Sequence, residues 1–160
     1  MNWKFDRLQS ALSGENPTVF HRLKSGFAVL GDTQFLPGYC VLLRYPKIGC
    51  LNDLSMAQRS DFLLDMSAIG DAIMTVCKPT KINYEILGNT DSFLHAHIFP
   101  RYDWEDETMK KQPVWLYPKE YCHITDHLFS ETKHDSLKKQ LSADLKRITA
   151  ILQHQQIISK

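Results

Sequence analysis

The sequence lacks the features by which several classes of protein are recognised. Its four cysteines include no C-x-x-C pair, so we expect free and mostly buried thiols in a reducing cytoplasm. No apolar run approaches the roughly 18 residues that span a bilayer, and the N-terminus has no apolar signal core, so no membrane partner is expected. The formal net charge is only +1, which disfavours nucleic acid as a partner.

The composition is typical of one soluble globular domain. Of the 160 residues, 43% are hydrophobic and 23% are charged, and the length fits a single domain with its own core. We find no internal repeat, low-complexity tract or Gly/Ser-rich linker. We therefore expect one domain over residues 1–160.

Hydrophobic periodicity predicts an α+β fold, in which antiparallel strands are set apart from helices. Five strands are predicted, at 18–23, 27–30, 39–43, 82–87 and 93–99. Helices are predicted at 3–12, from Ser55 to about 77 and from about Ser136. Ser55 and Gln58 form a capping box at the start of the middle helix, whose apolar residues recur at helical spacing.

The strand at 93–99 carries the most informative pattern in the sequence. Its residues alternate, so that His95 and His97 share one face, about 7 Å apart along the strand. The opposite face is wholly apolar and suits packing under the middle helix; it consists of Leu94, Ala96 and Ile98. The strand therefore presents two imidazoles on a face framed by Phe93 and Phe99.

Three interpretations of the paired histidines stay open at this point. They are incidental, or they ligate zinc together with a ligand from a loose set formed by Cys122, His123 and His127, or they act on phosphorus. No cysteine or carboxylate lies at diagnostic metal spacing, so we expect no metal and no other cofactor. A neutral imidazole approaches an anionic phosphate without repulsion and can form a covalent intermediate, while a second imidazole donates to phosphate oxygens.

The segment Leu94-His95-Ala96-His97-Ile98-Phe99-Pro100-Arg101 resembles the signature of the histidine triad (HIT) superfamily, H-x-H-x-H-x-x-P-R. Three upstream pieces match in the right order: the Pro37-Gly38 turn and its following strand, Tyr45-Pro46-Lys47, and Leu51-Asn52-Asp53-Leu54-Ser55. The resemblance covers roughly residues 27–101. It implies a five-stranded antiparallel sheet with a main helix packed on it, a domain core at about 18–101, and a C-terminal helical extension at 102–160.

The resemblance also implies roles for the histidines. Anchored on Pro100-Arg101, the second triad position, the nucleophile of the family, is His95, and the third is His97. Phe93 stands at the first position, and Tyr39 stands where the family often has a further histidine. In a rival alignment, which breaks the Pro-Arg anchor, His95 is first, His97 is the nucleophile and Phe99 takes the third place.

Five residues are candidates for substrate binding. Asn89 resembles the substrate-orienting asparagine of the family, with a simple turn residue as the alternative, and Ser92 follows it in the same turn. Asp32 lies one residue from the place of the ribose-binding residue. Arg101 could pair with phosphate or form a salt bridge at the strand end. Trp115 lies between two prolines that predict an extended segment, and could stack on a base or pack on its own core.

The resemblance thus implies a nucleotide phosphohydrolase that works through a nucleotidyl-histidine intermediate. The candidate substrates carry an α-phosphorus in a phosphoanhydride or phosphoramidate bond, dinucleoside polyphosphates and nucleoside phosphoramidates among them. Two alternatives stay open: a nucleotidyltransferase with a phosphate acceptor, and a non-catalytic nucleotide-binding protein. Members of the family usually form homodimers, so a homodimer is also expected.

Overall fold

The computed structural model describes residues 2–158, which form a five-stranded antiparallel sheet flanked by helices on both faces. The strands lie in the order β1-β2-β3-β5-β4, and every neighbouring pair is antiparallel. Their bounds are β1 Val19–Arg22, β2 Gly26–Leu30, β3 Cys40–Arg44, β4 Lys81–Glu85 and β5 His95–Arg101. The predicted α+β class and the five-stranded sheet are confirmed.

Two long helices, α2 (Met56–Cys77) and α5 (Glu131–Ile158), pack together on one face of the sheet. The capping box of α2 is present as predicted, with Ser55 and Gln58 bonding each other's backbone N–H groups. The main core lies between these helices and the strands. Its fully buried members include Phe62, Leu42, Ile98 and Leu145.

The other face of the sheet is covered by short elements that leave a cavity. These are α1 (Arg7–Ser13), α3 (Glu107–Lys110) and α4 (Lys119–Cys122), with 3-10 turns at Val114–Leu116 and Thr125–His127. A second hydrophobic cluster lies under them and contains Phe27, Leu36, Leu43, Phe99 and Tyr117. Residues 102–128 therefore form one wall of the site that the next section describes.

Several predicted boundaries need correction. The first helix begins at Arg7 and not at residue 3, because the Asp6 carboxylate accepts the N–H of Gln9 and caps the helix there. Phe5 therefore lies outside the helix and is exposed. The stretch after Pro113 is a 3-10 turn and is not extended, since the fixed φ of proline also fits the start of a helical turn.

The last strand and the last helix also differ from the prediction. β5 begins at His95, so Phe93 precedes the strand, and α5 begins at Glu131, earlier than predicted. All four cysteines are free; Cys40 and Cys122 are buried, Cys77 is half-buried and Cys50 is exposed. None of the helices in residues 2–158 has the length and apolar character needed to cross a membrane.

Candidate active site

β5 positions both histidines on the face of the sheet that lies away from α2. His95 is opposite Leu43 of β3, and His97 lies between Val41 of β3 and Glu85 of β4. The alternate residues Leu94, Ala96 and Ile98 are at most 2% exposed and belong to the main core, as their apolar character predicted. The two imidazole rings meet edge to face, with their centres 4.9 Å apart.

The histidines line a cavity of about 330 Å³ that runs along β5. Its apolar lining includes Val29 of β2 and the side chains of Phe35, Val114 and Tyr117. Its polar lining includes Arg7, Asp32 and Asp91. A molecule bound in the cavity would therefore meet apolar surface, charged groups and both imidazoles.

The hydrogen bond made by His95 fixes which of its nitrogens is free. Nδ1 of His95 lies 2.7 Å from the carbonyl oxygen of Phe93. Because a carbonyl oxygen only accepts, Nδ1 carries the proton of the neutral ring and donates it. Nε2 of His95 is therefore the nitrogen with the unprotonated lone pair, which is the arrangement a nucleophile needs.

The hydrogen bond made by His97 fixes the opposite arrangement. Nδ1 of His97 lies 2.7 Å from the hydroxyl of Tyr39. Burial raises the pKa of Tyr39 far above its usual value, so the phenol keeps its proton. We assign the phenol as the donor, because the reverse direction would leave its buried proton without an acceptor among residues 2–158. Burial, together with the neighbouring His95, lowers the pKa of His97 to about 4. His97 is therefore neutral at pH 7, with its proton on Nε2 available for donation.

Tyr39 is held in place by its packing. Its ring stacks on Phe99, with ring centres 4.3 Å apart, and its other side lies against Gly31. A Cβ at position 31 would lie 2.3 Å from two Tyr39 ring atoms, so only glycine leaves room for this ring. The phenol is thereby directed at His97.

Asp32 lies in the cavity wall, as a candidate for substrate binding should. Its carboxylate accepts two hydrogen bonds from Arg7, at 2.7 and 2.6 Å, and Lys4 lies 3.4 Å away. Burial alone would raise the pKa of Asp32, but the guanidinium and the ammonium outweigh it and hold the pKa below its usual value. Asp32 is thus ionised and still has lone pairs to accept from a sugar hydroxyl.

Trp115 stands over the histidines at the edge of the cavity. Its ring meets the His97 ring edge to face, with centres 4.8 Å apart, and contacts Phe99 in the same way. The indole N–H donates to the carboxylate of Glu85. Half of the Trp115 surface is exposed, so this ring is both near the imidazoles and open to a ligand. Trp104, by contrast, stacks on Tyr102 and does not line the cavity.

Arg101 is not brought to the cavity, and the structure favours the alternative of a salt bridge at the strand end. Its side chain is only 2% exposed and pairs with the equally buried Glu105, 3.0 Å away. Its remaining N–H groups donate to Asn83, to the hydroxyl of Tyr117 and to the carbonyl oxygens of Met109, Lys110 and Gln112. Arg101 therefore anchors the wall formed by residues 102–128.

The turn before β5 places Asn89 and Ser92 outside the cavity that the histidines line. Asn89 is exposed and does not line the cavity, which fits the alternative of a simple turn residue. Ser92 lines a neighbouring crevice on the far side of Phe93. Of the seven predicted site residues, the structure brings together His95, His97, Asp32 and Trp115.

Sequence reasoning missed Arg7, Glu85 and the carbonyl of Phe93. Arg7 lies outside the region of resemblance, and only the fold brings α1 beside Asp32. A backbone carbonyl carries no signal in a sequence at all. Within residues 2–158, no three His, Cys, Asp or Glu side chains lie together so as to hold a metal ion, and His123 and His127 bond backbone carbonyls instead.

No protein-family model matches this chain, and no curated protein matches its sequence. Solved structures do match its fold. A histidine triad protein from Marinobacter aquaeolei has a TM-score of 0.67 at 22% identity, covering 81% of this chain and 89% of that one. A hypothetical histidine triad nucleotide-binding protein from Sulfolobus tokodaii also has a TM-score of 0.67, at 11% identity, covering 89% and 93%.

A diadenosine triphosphate hydrolase from Plasmodium falciparum has a TM-score of 0.54 at 16% identity, covering 82% of this chain and 78% of that one. These similarities establish that the chain has the histidine triad fold, as the sequence resemblance predicted. In this chain the histidine pair of β5 lies on the sheet face that bears the cavity and the second hydrophobic cluster.

Proposed function

We propose that this protein is a nucleotide phosphohydrolase in which His95 attacks the α-phosphorus of its substrate. The observation that carries the proposal is the pair of opposed hydrogen bonds, His95 to the Phe93 carbonyl and Tyr39 to His97. Together they leave one imidazole with a free lone pair and the other with a free N–H. Displacement at phosphorus requires both functions: a lone pair that attacks, and an N–H that stabilises the charge developing on the phosphate oxygens.

In the first step, Nε2 of His95 forms a bond to phosphorus and the bond from phosphorus to the leaving oxygen breaks. The leaving group takes the electron pair. His95 becomes a positively charged nucleotidyl-imidazolium, and the Phe93 carbonyl, still bonded to its Nδ1–H, stabilises that charge. Nε2–H of His97 donates to a phosphate oxygen as negative charge develops there.

In the second step, water attacks phosphorus and the bond to His95 breaks. The products are a nucleoside monophosphate and a proton, and His95 is regenerated. A transferase would differ only in using a phosphate oxygen as the acceptor. Against a purely binding role, Tyr39 supplies His97 with a hydrogen-bond donor, so polar support is kept at a position where the family often has histidine.

We place the nucleoside against the apolar lining of the cavity, with the base between Phe35 and Val114 and the ribose near Asp32, all of which line the cavity with the histidines. Two proteins of the same fold support nucleotides as the substrate class, since one is described as a hypothetical nucleotide-binding protein and another is a diadenosine triphosphate hydrolase. The substrate is accordingly bound by its nucleoside and cleaved at the phosphorus beside His95.

Trapping of the intermediate tests this proposal. Protein mixed with a dinucleoside polyphosphate and quenched within milliseconds to seconds should carry one nucleotidyl group, located by mass spectrometry on His95. His95→Ala should form no adduct and lose at least ~10²–10⁴ in turnover. If His97→Ala abolishes the adduct while His95→Ala keeps most of the activity, the rival alignment is correct.

Isotope labelling separates the hydrolase from the transferase. In ¹⁸O-water, a hydrolase places one ¹⁸O in the nucleoside monophosphate, whereas a transferase with added phosphate yields unlabelled nucleoside diphosphate. Wild-type protein that binds nucleotides but forms neither product nor adduct would instead be a binding protein.

The homodimer and the cytoplasmic location stay predictions. The outer edge of β4 has no strand partner within residues 2–158, which leaves a backbone edge on which a second copy could pair. Light scattering of the purified protein tests the dimer. A monomeric mass across micromolar concentrations would contradict it.

A further inference from the structure

The short helix α4 carries two basic side chains into the wall of the active-site cavity. Lys119 begins the helix and His123 caps its C-terminal end one turn later, and both line the cavity. The end of α4 is joined to the segment after β2 that bears Asp32, because the Thr33 hydroxyl donates to the carbonyl oxygen of Cys122. The two basic side chains therefore lie on the side of the cavity that holds the candidate ribose ligand.

No carboxylate neutralises these basic groups within residues 2–158, where neither Lys119 nor His123 forms an ion pair. Nδ1 of His123 donates to the carbonyl oxygen of Lys119 over 2.9 Å, which leaves Nε2 for a ligand. Among the carboxylates that line the cavity, Asp32 is held by Arg7, and Asp91 lies in the turn before β5. Unpaired basic groups in the wall of a cavity attract an anionic ligand.

The α-phosphate of the proposed substrate is not that anion, because the imidazoles of β5 supply its contacts. Outside the pair itself, the ring and hydrogen-bond partners of His95 and His97 within residues 2–158 belong to elements other than α4; they are Tyr39, Phe93, Phe99 and Trp115. A nucleotide with its phosphorus at His95 and its ribose at Asp32 brings the 2′ and 3′ oxygens of that ribose beside α4. A second anionic group on the ribose would therefore meet Lys119 and His123.

Asp32 does not oppose an anion at this place, because two cations compensate its charge. Arg7 bonds the carboxylate at 2.7 and 2.6 Å, and the ammonium of Lys4 lies 3.4 Å away, so the three groups together carry one positive charge. In dinucleotide-binding folds an acidic residue binds the free ribose hydroxyl, whereas a nearby arginine accommodates a phosphate on it. The Arg7–Asp32 pair brings both kinds of group to the ribose.

We infer that the cavity binds nucleotides with a phosphomonoester on the 2′ or 3′ oxygen of the ribose, held by Lys119 and His123, while Asp32 accepts from the remaining hydroxyl. The inference rests on the proposed function and names its substrate class. A phosphate dianion beside His123 favours the protonated ring, in which Nε2–H also donates. The reaction at the α-phosphorus is unchanged, so water releases a nucleoside bisphosphate whose ribose phosphate is intact.

Binding of three nucleotides without an anhydride bond tests the inference in the active protein. They are adenosine monophosphate, adenosine 3′,5′-bisphosphate and adenosine 2′,5′-bisphosphate. Calorimetry at low salt should show that one of the bisphosphates binds at least fivefold more tightly than the monophosphate, and the preferred isomer identifies the ribose oxygen. Lys119→Ala should remove about fivefold of that affinity and leave the monophosphate unchanged. His123→Gln should weaken the same bisphosphate and also leave the monophosphate unchanged.

Lys24→Ala is the matched control, since it removes the same charge from an exposed lysine that pairs with Asp61 and does not line the cavity. Three results would overturn the inference. They are binding of both bisphosphates no tighter than that of the monophosphate, equal losses for monophosphate and bisphosphate in Lys119→Ala, and a loss in Lys24→Ala as large as in Lys119→Ala.

The binding measurement and the trapping of the intermediate separate this inference from the proposed function. A protein that prefers a bisphosphate through Lys119 but forms no nucleotidyl adduct and no product with any nucleotide would keep the ribose-phosphate site and exclude the hydrolase. A protein that forms the adduct on His95 but shows no such preference would keep the hydrolase and exclude the ribose-phosphate site.

Discussion

The phenol of Tyr39 donates a hydrogen bond to Nδ1 of His97 over 2.7 Å, from a position fixed between Gly31 and Phe99. Tyr39 thereby decides which His97 nitrogen faces the cavity with a proton. It touches neither the phosphorus nor His95 in the proposed reaction, so it is a positioning residue. Removing the Tyr39 hydroxyl should therefore change which nitrogen of His97 carries the proton.

Tyr39→Phe should lower kcat about 10- to 100-fold, since His97 would no longer be held with its proton on Nε2. The fold should survive, because only one hydroxyl is removed. Nitrogen NMR of His97 should show the proton on Nε2 in the wild-type protein and a mixture of tautomers in the variant. Tyr102→Phe removes a phenol that bonds the Pro37 carbonyl and serves as the control. An unchanged His97 spectrum in Tyr39→Phe would contradict the assignment.

Trp115 should report nucleotide binding through its fluorescence. It lies in the cavity wall and is half exposed, so a bound nucleoside monophosphate changes its surroundings. The protein with Trp3→Phe and Trp104→Phe keeps only this indole and should show a saturable change on titration. A response confined to the variant that keeps only Trp3, or no response at all, would mean that Trp115 is structural.

Arg101→Met should destabilise the protein by ~3–5 kcal/mol, because it leaves the Glu105 carboxylate buried without its partner. Burial alone would raise the pKa of Glu105, but Arg101, Tyr117 and a backbone N–H hold it below its usual value, so the carboxylate is charged in the folded state. Urea unfolding measures the loss. Lys139→Met, which removes one partner of an exposed pair in α5, should cost less than ~1 kcal/mol. Similar losses in both variants would contradict a structural role for Arg101.

The free energy of unfolding should fall as the pH is lowered from about 6.5 to 4. His97 has its pKa lowered to about 4, so in this window the unfolded chain binds a proton that the folded protein does not. The contribution of His97 to the free energy of unfolding is therefore fully present above the pKa that His97 has in the unfolded chain. Each pH unit below that pKa removes up to ~1.4 kcal/mol of it. His97→Gln should flatten the profile in this window relative to wild type. Parallel profiles for the two proteins would exclude His97 as the source.

Short-range sequence patterns were enough to predict the sheet, α2 and the strand face that bears the two histidines. Alternation in residues 93–99 separated His95 and His97 from a core face that is buried as expected. Ser55 and Gln58 marked the start of α2 correctly. Such signals are readable because they depend on neighbours within a few residues, and burial of an apolar face then enforces them.

The sequence by itself determined which side chains could do chemistry and that a strand would present two imidazoles together. Only the tertiary structure decided how those imidazoles are set up and what surrounds them. Arg101 was a candidate phosphate ligand in the sequence. In the structure its guanidinium pairs with Glu105 and donates to carbonyl oxygens of residues 109–112. Two side chains reach the site from segments far from β5 in the sequence, namely those of Arg7 and Tyr39. A third group, the carbonyl of Phe93, is a backbone atom. Hydrogen-bond partners of this kind depend on the packed arrangement of all the elements, and no local pattern encodes them.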